Sequence, residues 1–86
     1  MDKVVTSIHQ IDLSDLRFPI IAAYEYPDDY PDKCVARIFD MDRTTDTVIL
    51  KDTMEELHED IRSRFPTVFF KATEYDLPST RGCWIL

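Results

Sequence analysis

Glycine is almost missing from this sequence, since Gly82 is the only one among its 86 residues. Loops that cradle phosphate groups, and the sharp turn that exposes a serine nucleophile, need glycines at fixed positions, and neither pattern occurs. The turns are therefore left to proline, aspartate and tyrosine. Internal repeats and low-complexity linkers are missing too, so residues 1–86 are predicted to form a single domain.

Long apolar runs are lacking as well. No stretch approaches the roughly 18 consecutive apolar residues that indicate a membrane span, and residues 1–5 do not resemble the start of a secretory signal. The two cysteines, Cys34 and Cys83, thus come without a signal for export. We expect a cytoplasmic protein with reduced thiols and no contact with a membrane.

Basic residues are outnumbered, because 17 acidic and 10 basic side chains give a net charge of −7. Such a surface repels phosphate, which disfavours direct nucleic-acid binding and favours a basic protein as partner. Apolar residues make up 44% and charged residues 31%, a globular balance. A chain this short supports one thin core, so we expect it to fold alone or as a homodimer.

Alternating apolar residues predict an antiparallel sheet. The four clearest strands are expected over residues 18–26, 34–41, 47–51 and 67–72. Residues 27–32 contain two prolines and must form a connecting loop, and residues 42–46 are expected to be a hairpin turn. Residues 83–86 are predicted to add an edge strand, and residues 1–17 to form a short strand followed by a loop.

The helix is the clearest element of the sequence. Thr53 and Glu56 have the spacing of a capping box, in which side chains bond to the exposed N–H groups at a helix start. Apolar residues follow at helical spacing: Met54, Leu57, Ile61 and Phe65. Pro66 ends the helix. The predicted fold is therefore α+β, with three to five strands packed by one helix in the order β-β-β-α-β.

Asp40 and Asp42 form the one pattern that suggests catalysis. Residues 38–44 resemble the DxDxT motif of haloacid dehalogenase-like phosphatases, which implies that Asp40 attacks phosphorus and Asp42 acts as general acid and base beside magnesium. That family needs parallel strands with long crossovers, and only 46 residues follow Asp40. A metal-dependent phosphohydrolase is therefore kept only as an alternative to an ordinary strand end and turn.

The residues that other catalytic or metal-binding motifs require are missing from the sequence. No cofactor or metal site is therefore predicted. A calcium-loop alignment of residues 40–51 fails because Thr45 and Lys51 replace the required glycine and glutamate. His58 begins a pattern seen in zinc proteases, but Arg62 stands where the second histidine belongs. His58 is therefore expected on the helix surface, and the protein is not expected to be an enzyme.

Tyrosines alternate with carboxylates between residues 24 and 32. Tyrosine is enriched in interface cores, and carboxylates steer a basic partner. The candidate partner-binding residues in this segment are Tyr26, Asp28, Asp29, Tyr30 and Asp32. A second acidic patch is predicted on the helix, at Glu55, Glu59 and Asp60. The alternative is a proline-rich loop whose tyrosines pack on their own sheet.

The run Thr53-Met54-Glu55-Glu56-Leu57 opens the helix directly after the third predicted strand. Together with the order of elements over residues 18–72, it resembles the N-terminal domain of HicB-type antitoxins. The resemblance implies a partial ribonuclease-H-like fold without catalysis, which binds a small basic toxin, and no DNA-binding domain in the 14 residues after Ala72. The sequence thus predicts a non-enzymatic protein-binding module, with a homo-oligomer joined through sheet edges as the alternative.

Overall fold

One sheet and one α-helix make up most of the computed structural model, which describes residues 3–14, 16–41, 43–72 and 79–86. The strands are β1 (Lys3–Val5), β2 (Pro19–Glu25), β3 (Cys34–Asp40), β4 (Arg43–Lys51), β5 (Phe69–Lys71) and β6 (Thr80–Ile85). A 3-10 helix spans Ile8–Gln10, and the α-helix α1 spans Met54–Arg64. The strands form a six-stranded sheet in the order β1-β4-β3-β2-β6-β5.

The predicted α+β class with one α-helix is confirmed, but the sheet is larger than the three to five strands predicted. It is also mixed, because β1 pairs with β4 in parallel while the other pairs are antiparallel. The order β-β-β-α-β describes β2 to β5 and omits the first and last strands. The C-terminal strand was placed wrongly at an edge, since β6 pairs with both β2 and β5.

The connection between β3 and β4 is tighter than the five-residue turn predicted for residues 42–46. Met41 has a left-handed φ of 59°, and its N–H donates to the carbonyl oxygen of Phe18 at 2.9 Å. This hydrogen bond fixes Met41, at the end of β3, against the residue that precedes β2. Asp40 and Arg43 therefore pair directly, and β4 begins four residues before the expected Thr47.

The predicted start of α1 after Thr53 and its end before Pro66 are confirmed, but of the predicted capping box only one of the two bonds is found among the described residues. The Thr53 hydroxyl accepts a hydrogen bond from the Glu56 N–H at 3.1 Å, and the helix ends at Arg64 with Phe65 as its cap. Leu57 and Ile61 point at the sheet and are fully buried. Helical spacing of apolar residues thus identified the face that packs on the sheet.

The N-terminal segment is more regular than the predicted loop. Ser7 caps the 3-10 helix by accepting a hydrogen bond from the His9 N–H at 3.2 Å. Gln10 completes a capping box, because its side-chain oxygen accepts from the N–H groups of Ser7 at 3.3 Å and Thr6 at 2.8 Å. The pattern Ser-x-x-Gln was the local signal for this turn.

Alternation along the strands gives the sheet two different faces. The face beneath α1 and the 3-10 helix carries the main core, whose buried members are Ile8, Ile11, Ile21, Ala23, Cys34, Ala36, Ile38, Ile49, Leu57, Ile61 and Trp84. The other face has no helix on it in the described parts of the chain, and we call it the open face. Its paired residues are Val4, Ile20, Ala22, Tyr24, Val35, Arg37, Phe39, Thr44, Val48, Leu50, Phe70, Thr80, Cys83 and Ile85. Val35 and Val48 are fully buried.

Candidate protein-binding surface

The tyrosine- and aspartate-rich segment forms the loop between β2 and β3, and backbone hydrogen bonds fix its shape. The Tyr26 N–H donates to the Lys33 carbonyl at 3.0 Å, which closes the base of the loop. Within it, the Tyr30 N–H donates to Pro27 at 3.0 Å and the Lys33 N–H to Tyr30 at 3.1 Å. Tyr26 adopts a left-handed φ of 52°, and Pro27 is buried. The loop is therefore anchored at its base and along its length.

Two of the three loop aspartates have no partner among the described side chains, whereas the third forms an ion pair. Asp28 and Asp32 are exposed, and within the part of the chain that the structure describes neither makes a side-chain hydrogen bond or an ion pair. Asp29 forms an ion pair with Arg37 of β3 and so ties the loop to the open face. The Tyr26 side chain is 50% exposed, whereas Tyr30 is half-buried.

The acidic character continues from this loop to the start of α1. Lys33 forms an ion pair with Asp52, which raises the pKa of Lys33 and lowers that of Asp52. The charges of Asp32 and Glu56 raise the pKa of Lys33 further, so both carboxylates lie near its ammonium group. We call the surface formed by Asp28, Asp32, Asp52 and Glu56 the acidic end of the sheet.

The predicted patch on α1 divides into two environments. Glu55 and Glu59 are exposed. Asp60 instead accepts hydrogen bonds from the Ser7 hydroxyl and the Ile8 N–H, both at 2.6 Å, and its side chain is only 10% exposed. Asp60 thus joins α1 to the 3-10 helix, and its carboxylate is occupied inside the protein.

Of the two candidate phosphatase residues, the structure describes Asp40. Asp40 accepts hydrogen bonds from the backbone N–H groups of Arg17 at 3.1 Å and Phe18 at 2.9 Å, so it holds the chain that enters β2. Asp42 lies outside the described residues. Among the residues that are described, no group of three or more histidine, cysteine, aspartate or glutamate side chains could hold a metal ion.

His58 does not lie on the helix surface as predicted, because its ring is half-buried in an aromatic cluster. Its centroid is 4.5 Å from that of Phe69 and 5.0 Å from that of Trp84, both in edge-on geometry. Burial, and then the charge of Arg62, lower the pKa of His58. The Trp84 Nε1 is buried without a hydrogen-bond partner among the described residues. The cluster fixes β5 and β6 against α1.

Two other described features could take part in chemistry, namely the Cys34 thiol and a cleft beside β1. Burial raises the pKa of the Cys34 thiol, which keeps it protonated and unreactive. Beside β1 there is a cleft of ≈ 250 Å³ lined by Lys3, Val5, Gln10, Ile11, Asp12 and Thr47. Its carboxylate, Asp12, accepts hydrogen bonds from the N–H and hydroxyl of Ser14, which lower its pKa.

The open face is the feature that the sequence reasoning missed. One row of paired residues crosses the whole sheet in the order Val4, Val48, Arg37, Ala22, Cys83 and Phe70. A second row contains Phe39, Ile20 and Ile85. The available signal was that β2 and β4 are apolar on both alternating sets of positions, as in Ile20-Ile21 and Val48-Ile49, which is unusual for a strand with one solvated face.

Comparison of the chain with models of protein families, with curated proteins and with solved structures gives no significant match. The resemblance to HicB-type antitoxins is therefore neither confirmed nor contradicted, and it stays a prediction. In the described parts of the chain, every helix is too short or too polar to span a lipid bilayer.

Proposed function

We propose that this protein is a non-enzymatic binding module whose acidic end engages a basic partner protein. The observation that carries the proposal is the state of Asp28 and Asp32, which are exposed and have no hydrogen-bond or ion-pair partner among the described side chains, on a loop already fixed by backbone hydrogen bonds. A loop ordered before binding loses little conformational entropy on binding. Its carboxylates are thus ready to meet lysine or arginine side chains.

The contact residues divide into two roles. Tyr26 offers a half-exposed ring as apolar contact area, with Tyr30 beside it. Asp28 and Asp32, continued by Asp52 and Glu56, supply the negative field that attracts the partner and orients it. Exposed Glu55 extends this field along the first turn of α1.

Three of the predicted residues are not contact residues in the proposal. Asp29 is assigned to anchoring the loop, because it is paired with Arg37. Asp60 is omitted, because its carboxylate is bonded to Ser7 and Ile8. Glu59 is exposed one turn after Glu55 and serves better as a control than as a contact. The HicB-type resemblance implies the same class of partner, a small basic protein.

The test is affinity capture from a host lysate at low salt, followed by identification of the captured proteins. We expect a basic protein to bind the wild type and to be lost with Asp28→Asn/Asp32→Asn. The matched control is Asp46→Asn/Glu59→Gln, which changes net charge equally at exposed positions away from the loop. Equal capture by the loop variant and the wild type would contradict the proposal. Equal loss of capture in both double variants would also contradict it, because net charge rather than the loop would then determine binding.

A further inference from the structure

The aromatic cluster joins α1 to the strands β5 and β6. His58 of α1 lies edge-on to Phe69 of β5 and to Trp84 of β6, and the rings of Phe69 and Trp84 are themselves 4.7 Å apart between centroids. The three rings therefore come from three different elements. Histidine is the side chain whose charge changes nearest to neutral pH, so this junction contains a group that can be titrated under mild conditions.

β5 is held to the rest of the protein mainly through Phe69. It is a three-residue strand at the edge of the sheet, where its neighbour is β6. Phe70 is 52% exposed and Lys71 is also exposed, whereas Phe69 packs against the core. Segments with few buried apolar contacts open locally at a lower free energy than the centre of a sheet. β5 can thus separate while the central strands stay paired.

The charges that α1 places near His58 disfavour a proton on its ring. Burial lowers the pKa of His58, and the positive charge of Arg62, one helical turn further on, lowers it more. Glu55, one turn before His58, is exposed, and its negative charge does not reverse the shift. The helix therefore favours the neutral ring in the closed cluster.

The strands packed against His58 add no compensating negative charge among the described residues. On β5, Lys71 is a cation two residues from Phe69 and so on the same face of the sheet. On β6, Arg81 is paired with Glu25 at 3.0 Å, so that this carboxylate already has a cation. A second positive charge at His58 would therefore meet further cations rather than an anion.

A protonated His58 would also lack hydrogen-bond acceptors among its ring neighbours. Imidazolium has N–H donors on both ring nitrogens, whereas the neutral ring keeps one acceptor. Phe69 has no polar side-chain atom, and the buried Nε1 of Trp84 is a donor without a partner among the described residues. Leaving donors of a charged group unpaired costs free energy. The neutral ring fits the closed cluster better than the charged ring.

We infer that protonation of His58 releases β5 from α1 and β6 and leaves the other strands paired. The imidazolium ring turns into water, which accepts its hydrogen bonds, and Phe69 leaves the rings of His58 and Trp84. The cluster is thus a two-state element, closed around a neutral ring and open around a charged one. It includes none of the residues assigned to partner contact, so the inference does not depend on the proposed function.

The pH range of the change follows from the proton that the open form binds. In the open form His58 has an ordinary pKa of about 6.5, and in the closed form its pKa is lower. Below about pH 6.5 each further pH unit therefore favours the open form by at most about ten-fold. The gain ends once the pH falls below the pKa of the closed form, because both forms then carry the proton.

The test is amide hydrogen exchange, measured residue by residue by nuclear magnetic resonance at several pH values from 7 to 5. The Ala72 N–H donates to the Arg81 carbonyl at 3.0 Å and reports the pairing of β5 with β6. After correction for the intrinsic effect of pH on exchange, we expect its protection to fall by at least about three-fold. Amides of the β3–β4 pair should keep their protection.

A second readout is the fluorescence of Trp84, the one tryptophan of the chain. Loss of Phe69 from the cluster brings the indole into contact with water, so its emission should move to longer wavelength as the pH falls. The midpoint of this change should coincide with the titration of the His58 ring signals. The two readouts together distinguish movement of β5 from protonation alone.

His58→Phe keeps a ring in the cluster and cannot be charged. Both the Ala72 protection and the Trp84 emission should become independent of pH between 7 and 5 in this variant. His58→Gln, which is also uncharged, checks this result if the larger ring disturbs packing, and thermal unfolding at pH 7 shows that each variant is folded. The matched control is Glu59→Gln, which removes a titrating side chain from an exposed position on the same helix and should respond to pH like the wild type.

Three results would each overturn the inference. If His58 takes up its proton while the Ala72 amide keeps its protection, the closed cluster accommodates the charge. If the β3–β4 amides lose protection together with Ala72, protonation unfolds the whole domain rather than releasing β5. If His58→Phe and His58→Gln keep the wild-type response to pH, another group is responsible.

Discussion

Gly82, the one glycine of the chain, occupies a place where no side chain fits. Its φ of 146° lies in a region that other residues rarely adopt, and a Cβ atom there would lie 2.2 Å from the Phe70 carbonyl oxygen and 2.6 Å from Cζ of Phe69. The ring of Phe69 thus covers the backbone of β6 directly. Only glycine allows β5 and β6 to approach in this way.

Replacing this glycine should therefore destabilise the protein. We expect Gly82→Ala to lower the free energy of unfolding by about 2 kcal/mol or more, from backbone strain and displacement of Phe69. Urea unfolding of the two proteins measures the difference. Cys83→Ala, at the next residue on the opposite face, should have a smaller effect. A Gly82→Ala protein as stable as the wild type would show that β6 is not held against β5 as described.

His58 predicts how stability depends on pH. Its folded-state pKa is lowered, so as pH falls below about 6.5 the unfolded chain takes up a proton that the folded chain does not. The free energy of unfolding should decrease through this range, until the pH passes the folded pKa. His58→Gln should flatten this decrease between pH 7 and pH 5, as measured by urea unfolding at several pH values. A slope in His58→Gln equal to that of the wild type would refute the assignment.

At the scale of elements, the contact between α1 and the 3-10 helix depends on Asp60. Asp60→Ala removes the acceptor for both the Ser7 hydroxyl and the Ile8 N–H, which leaves partly buried donors unpaired. We expect a loss of about 1–3 kcal/mol in the free energy of unfolding. Glu59→Ala, on the same helix but exposed, should change it by less than about 0.5 kcal/mol. Chemical denaturation measures the free energy of unfolding of both variants. If Asp60→Ala were as stable as Glu59→Ala, Asp60 would not stabilise the contact between α1 and the 3-10 helix.

Local signals allowed α1, β2 and β3 to be predicted from the sequence. The cap at Thr53, the apolar spacing through Leu57 and Ile61, and the prolines of the β2–β3 loop all act within a few residues. The places of β1 and β6 could not be predicted in this way. β1 pairs with β4 across an intervening hairpin, and β6 pairs with β2 from the other end of the chain. Such pairings follow from packing of the whole sheet.

In the candidate site, too, features that depend on neighbouring residues could be predicted from the sequence, and features that depend on distant residues could not. The exposed tyrosine and aspartates of the loop were visible in the sequence because two prolines exclude the segment from the sheet. The separate role of Asp60 was not visible, since its partner Ser7 lies 53 residues away. His58 was missed for the same reason, because the rings of Phe69 and Trp84 that surround it belong to β5 and β6.

At the scale of the whole molecule, charge and apolar area are separated. At the acidic end, Asp28 and Asp32 have no ion-pair partner among the described residues, while on the open face Arg37 is paired with Asp29 among mostly apolar side chains. The proposed binding of a basic partner at the acidic end should therefore weaken as salt rises, because screening reduces the attraction between opposite charges.

The most direct test of the binding module is to map the contact surface by nuclear magnetic resonance. Isotopically labelled protein is titrated with the captured basic partner, and changes in the backbone amide signals are followed along the chain. The account predicts the largest changes over residues 26–33 and 52–56, and small changes at Phe70 and Ile85. Changes confined to the open face, or to the contact between Ser7 and Asp60, would contradict it.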